Sequence, residues 1–335
     1  MKAFWFLVSG FWFSAALAQV VASTPHGIVV AHDHQLQLFN AAGTAIVWTT
    51  EGVAMATSIV AGSERVAVLD ALSSSVRVVE LGNGRGATID CGETPVAGVF
   101  AGRALYLLER DARALERIGA DGARASISLT ADPAFLHESG DRLYVYARAA
   151  GLLQEITTTP FAVARSAHVA PFASDFEIDR GNAYFVYPRE AKVRVVELAS
   201  MKPAGESAVG AVPVALAFTS SHALAIADPS AKRVWMIEGA ESFGQAFARG
   251  FLRGLLGLGI HPNRNSDFPT GVDRVLVRGN VLFAYDTSSG TLYRVAQEKS
   301  TVVAKDVLPQ SFAVASDSVY VWDETVRRLQ RFADR

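Results

Sequence analysis

The chain has 335 residues, 50% of them hydrophobic and 19% charged, with a formal charge of −2. That composition is globular rather than disordered, and a balance so close to neutral leaves no electrostatic footprint for nucleic acid. There is one cysteine, Cys91, so no disulfide can form within the chain, and the residue reads as a small buried side chain on an outer strand.

Lys2 begins the chain with a short basic region, and Ala3 to Ala16 is almost wholly apolar. Ala16-Leu17-Ala18 then offers a small-x-small cleavage site before Gln19. We read residues 1–18 as a cleavable signal peptide and 19–335 as one domain. The apolar run falls short of the about 20 residues of a membrane span. No cysteine follows it for lipid attachment, so the expected location is periplasmic or secreted.

From there the chain repeats. Short strands rich in β-branched and aromatic residues end at His32, Asp70, Glu109, Ala147, Pro188, Asp228, Asp286 and Asp323, at intervals of 38, 39, 38, 41, 40, 58 and 37. The last unit shows the pattern: Ser311 to Ser316 as a first strand, a turn, Val319 to Trp322 as a second, and Thr325 to Phe332 as a third. Pro95, Pro133, Pro171, Pro213 and Pro309 are read as opening first strands, where a missing N–H is tolerated. The acids that close the second strands, Glu109 among them, are read as turn-capping groups rather than a catalytic ring. A period near 40 residues is the mark of a β-propeller. The expected fold is all-β, with eight repeat units giving eight blades; seven is the alternative count.

The motif G-x-x-P, strand, turn, Tyr-Val-x-Asp stands here as Gly92-Glu93-Thr94-Pro95 and Gly210-Ala211-Val212-Pro213, with Tyr144-Val145-Tyr146-Ala147 and Tyr320-Val321-Trp322-Asp323. It resembles the YVTN family of bacterial and archaeal β-propellers over nearly all of residues 19–335. The resemblance implies an envelope or secreted propeller, often a binding scaffold, and carries over no catalytic residues. Leu38 to Trp48 in unit one looks like a single quinoprotein-type repeat. A quinone enzyme would show several.

Two places break the pattern. In unit five the first strand reads Asp175-Phe176-Glu177-Ile178-Asp179, and alternation puts its three carboxylates on one face. First strands line a propeller's channel. Counted back from the repeat markers, His137 shares its place with Ala22, Val60, Val99, Ile178, Phe218, Leu276 and Ala313, while Glu138 pairs with Asp179. Asp175, Glu177 and Asp179, with Glu138 or His137, form a candidate site for a divalent cation. The solvated-mouth reading competes with it. The other histidines read as surface turn residues.

The second place is the long interval in unit six. Phe243, Phe247, Phe251, Leu252, Leu255 and Leu256 fall at spacings of three and four, with Arg249 and Arg253 on an edge. That spacing predicts a helical insertion over about 240–260, after the third strand of unit six. It either packs on the propeller or docks on a partner or a membrane surface.

The chain contains no G-x-S-x-G elbow, no H-E-x-x-H and no glycine-rich phosphate loop between strand and helix. The leading functional reading is therefore a non-enzymatic exported propeller that binds a protein or cell-envelope component. The alternative is a metal-dependent hydrolase or lactonase working at the channel carboxylates.

Overall fold

The structure is a computed structural model that describes residues 20–53, 55–70, 73–130, 132–237, 264–296, 299–315 and 318–332. These hold eight antiparallel sheets whose strands pair in chain order, seven with four strands and the last with three. The sheets span residues 20–51, 58–90, 95–128, 133–168, 175–208, 215–267, 274–304 and 312–332. First strands of successive sheets contact one another in a closed circle, with Val20–Thr24 meeting Phe312–Ala315 at the junction. This is an eight-bladed β-propeller, its first strands lining the central channel.

The second strand of each blade is buried on both faces. Gly27–His32 and Asn182–Tyr187 are examples, and both read as near-continuous apolar runs. The core is accordingly eight clusters, one in each seam between neighbouring blades. Each large apolar side chain taken fully into a seam contributes about 1.5–3 kcal/mol.

A recurrent turn fixes which end of the ring is which. The residue closing each second-to-third-strand turn is left-handed: His34, Ser74, Arg113, Gly151, Ala191, Lys232, Gly290 and Arg327, with φ between 49° and 62°. In the first seven blades its carbonyl accepts the N–H of the residue just past the outer strand, as Val53 donates to His34 and Val209 to Ala191. These turns and the blade-to-blade connections therefore share one end of the ring. The first-to-second and third-to-fourth strand turns occupy the other.

Among the described residues blade eight has no fourth strand, and the ring closes through side-chain contacts and one backbone hydrogen bond rather than strand exchange. Trp322 stacks on His32 at 4.4 Å between centroids. The Tyr320 hydroxyl donates to the Ala41 carbonyl at 2.6 Å, Arg327 meets Asp33 at 2.8 Å, and the Val21 N–H reaches the Gln310 carbonyl at 2.9 Å.

Several boundaries differ from the sequence reading. The second strand of blade five ends at Tyr187, not Pro188, which opens the 3-10 turn Pro188–Glu190. Lacking an N–H, the proline cannot continue the ladder and stands at the first turn position instead. Pro95 and Pro133 do open first strands, but Pro171, Pro213 and Pro309 lie in the connections before theirs. The third strand of blade eight is Arg328–Phe332, because Thr325 and Val326 donate backbone N–H groups to Asp323 in the turn. Residues 1–18 and the insertion expected at 240–260, with Phe243, Phe247, Arg249, Phe251, Leu252, Arg253, Leu255 and Leu256, lie outside the described residues. Arg233–Ile237 and Arg264–Asp267 pair directly as the third and fourth strands of blade six.

Candidate functional site

Moving the blade-five marker to Tyr187 shifts the register of the channel by one residue. His137 pairs with Tyr144 and Glu177 with Tyr184, so these two side chains occupy the same position in neighbouring blades. The residues there in the other blades are Ala22, Val60, Val99, Ala217, Leu276 and Ala313. Six small or apolar side chains and two polar ones thus share one level of the channel, and the polar two are adjacent. Glu138, which the marker spacing put beside Asp179, pairs instead with Leu143 on the opposite face from His137 and is exposed.

The His137 ring lies edge-on to Phe176, 4.4 Å between centroids, and its Nδ1 stands 3.6 Å from Glu177 Oε2. That is contact rather than a hydrogen bond. Burial lowers His137 to about 4. Glu177 is raised to about 8, first by burial, then by the charge of Asp175, against the opposing N–H of Ile178. Burial also raises Asp175 to about 6, opposed by the N–H groups of Leu216 and Phe176 and by Arg274. At neutral pH the pair is a neutral imidazole beside a protonated carboxyl. The channel there offers a hydrogen-bond donor and an acceptor without net charge, and perturbed groups of this kind mark binding or acid–base sites.

The three carboxylates share one face, as alternation requires, but each has its own neighbour. Asp175 accepts the Leu216 N–H at 3.0 Å, tying blade five to blade six. Asp179 Oδ1 meets His222 Nδ1 at 2.7 Å, while its Oδ2 is buried without a partner. Glu177 is left for the channel and His137. His222 is the residue sequence reasoning missed: it sits at φ 62° in a turn, as a surface turn histidine would, yet points inward to a carboxylate on the next blade. No local signal distinguishes it, because its partner is 43 residues away.

At the end of the ring opposite the connections, a cleft of about 540 Å³ opens between blades three and four, lined by Arg103, Tyr106, Arg117, Asp121, Asp141 and Thr158 among others. Arg103 also borders a smaller cleft of about 360 Å³ toward blade two.

No family model matches the chain, and no curated protein matches it. Solved structures do. Sqt1 of Saccharomyces cerevisiae is similar at TM-score 0.69 and 11% identity, covering 95% of this chain and 97% of its own. BamB of Moraxella catarrhalis is similar at 0.66 and 9%, covering 94% and 96%. Virginiamycin B lyase of Staphylococcus aureus is similar at 0.59 and 11%, covering 78% and 89%. At such identities the likeness is one of fold, and this fold hosts unrelated activities. The chain is a β-propeller, and its function has to be argued from its own surface.

Proposed function

We propose that this chain is an exported, non-enzymatic propeller that binds a protein or other cell-envelope component at the end of the ring carrying the blade-to-blade connections. The observation that carries the reading is that four of the seven exposed large apolar side chains among the described residues lie there, while Ile46, Val47 and Val302 stand on outer strands. Phe172, Val212 and Leu308 project from three of the connections and Val326 from the neighbouring turn of blade eight, with Phe172 51% and Leu308 49% exposed. The Arg189 guanidinium lies 5.8 Å from the centre of the Phe172 ring. Apolar groups set among polar loops, with an arginine beside an aromatic ring, are the composition of a protein-binding surface.

The likeness to YVTN repeats and the signal peptide over residues 1–18 belong to the same proposal, and the mature chain should begin at Gln19. The insertion near 240–260, with its expected run from Phe243 to Leu256, belongs to the proposal as a second contact, to a partner or a membrane surface. The metal-dependent hydrolase reading keeps one observation in its favour, the Glu177–His137 pair with Asp175 beside it in the channel.

The test places a photo-crosslinking residue at Phe172, at Leu308 and, as a control on the opposite end, at Ala120. In cells, one discrete adduct from the first two positions and none from Ala120 is expected. Equal labelling at both ends, or no adduct, overturns the proposal. Zinc-dependent turnover of esters or lactones that disappears in Glu177→Gln would replace it with the alternative.

A further inference from the structure

Between blades two and three the closing acid departs from the rule that the other acidic blades follow. Asp70 accepts the Met55 N–H on one oxygen and the Ser73 N–H on the other. Asp286 is satisfied on both oxygens by Ser288 and Ser289. In two further blades a third-strand side chain completes the pairing: Trp235 donates to Asp228 at 3.3 Å and Gln330 to Asp323 at 2.8 Å. The registers put Trp235 opposite Ile226, Gln330 opposite Val321 and Glu116 opposite Leu107, so these three residues hold equivalent positions. Blade three therefore has an acceptor where a donor belongs.

The consequence is visible in the hydrogen bonding. Glu109 is one methylene longer than the aspartates, and the N–H groups of Gly92 and Glu93 hydrogen-bond to its carboxylate. Its Oε1 is buried without a partner, and so is Glu116 Oε2, in side chains of residues only 5% and 4% exposed. Arg124 Nε holds the other oxygen of Glu116 at 2.5 Å. Buried Cys91, just past the outer strand of blade two, completes the group. Its sulfur and one oxygen from each carboxylate lie within 4.8 Å of one another. Two buried carboxylates, each with an oxygen that lacks a donor, grouped with one thiol, are costly unless a proton or a cation lies between them.

We propose that Cys91, Glu109 and Glu116 bind a zinc(II) ion in the seam between blades two and three. A thiolate disfavours calcium and magnesium, two carboxylates disfavour copper(I), and one sulfur with two oxygens suits a borderline divalent cation with water as fourth ligand. The charges close: thiolate and two carboxylates against the cation and Arg124. On binding, the Cys91 thiol gives its proton to solvent and its sulfur forms the metal bond, with no change of oxidation state. Without the ion, burial and the charges of Glu116 and Glu109 push this thiol up to about 12, and a bound dication reverses that local field. The ion would bridge two blades that meet there through one apolar cluster holding Cys91, Leu105, Leu107 and Ile118, and through Arg124, whose Nη1 donates to the Asp90 carbonyl at 2.9 Å.

The single cysteine makes the test specific, because any metal–thiolate signal must come from Cys91. Reduced, metal-free protein is titrated with cobalt(II), then with zinc. One equivalent of cobalt is expected to produce a thiolate-to-cobalt charge-transfer band and tetrahedral visible bands, which zinc then bleaches. Cys91→Ser should lose the charge-transfer band. Glu109→Gln should keep it with cobalt affinity weakened at least about tenfold. Zinc should raise the melting temperature of the wild type and not that of Cys91→Ser. Absence of the charge-transfer band in the wild type overturns the proposal without reference to any variant. A Glu109→Gln protein that binds cobalt as tightly as wild type, or equal zinc stabilisation of Cys91→Ser, overturns it as well.

Discussion

The channel pair makes a pH dependence that can be worked out before it is measured. In the folded chain Glu177 stays protonated up to about 8, whereas in the unfolded chain it ionises near 4.3, the ordinary glutamate value. Between those values the native state holds a proton that the unfolded state has released. Glu177's contribution to stability is therefore full below the ordinary carboxylate range and is lost as pH rises toward 8. His137 slopes the other way. Its folded value is about 4, so between there and the ordinary imidazole value near 6.5 the unfolded chain binds the extra proton, and stability rises with pH. Asp175, held up to about 6, completes its own titration below neutrality. Of these three channel groups only Glu177 keeps its slope above about pH 6.5, over roughly 1.5 pH units, which at about 1.4 kcal/mol per unit sets a ceiling near 2 kcal/mol; the buried Cys91 thiol, pushed up to about 12, adds a fall of the same sign only above about pH 8. The Glu177 side chain is 37% exposed to the channel, so solvent screening cuts this to about 1 kcal/mol. For a domain of this size that is about 2 °C in melting temperature. Calorimetric scans at pH 6.5 and at about pH 8, below the ordinary range of the Cys91 thiol, should show that fall in the wild type and not in Glu177→Gln. A variant that falls as steeply as the wild type, or a wild type that gains stability over this interval, would refute the assignment.

Two further outcomes follow from the architecture. Trp322→Ala removes the stack on His32 and the contact with Phe39 at the ring junction, and should cost about 3–5 kcal/mol by chemical denaturation; a loss under about 1 kcal/mol would mean that closure does not rest on these side chains. Deleting residues 241–260 should leave the melting temperature within a few degrees of wild type, because the flanking strands pair without them, and should weaken binding to liposomes or to the partner; a deletion that unfolds the protein identifies the segment as a structural cap.

How much of this was legible depended on whether a residue answers to its neighbours or to the ring. The eight second strands are buried on both faces, so their apolar runs announce themselves, and the period between them specifies the blades. The alternation that puts Asp175, Glu177 and Asp179 on one face is equally local. What the chain did not disclose was the register between blades. By spacing Pro188 ends the strand that Tyr187 ends in the structure, and that single step puts Glu138 where His137 belongs. His222 and Cys91 stayed hidden for a related reason. Each makes its decisive contacts across a seam, with residues on another blade, and spacing along one blade says nothing about what faces it.

That distinction also shows where function should be sought in a fold of this kind. Every position of the first three strands is sampled eight times among the described residues, so the repeat supplies its own control, and a residue needed for stacking blades recurs with minor change. The acids that cap the turns do so, and their carboxylates are satisfied by nearby donors in Asp70, Asp228, Asp286 and Asp323. Stability alone gives no reason to place a histidine and a glutamate at a channel level otherwise held by Ala, Val and Leu, because both cost free energy to bury there. Nor does it explain a second acid opposite Leu107, where blades six and eight carry a donor. Departures that cost stability without repaying it inside the fold are the places to look for an outside group. For the seam of blades two and three the proposed group is a cation. A ligand of the channel would have to accept a proton from Glu177, or a hydrogen bond from its carboxyl.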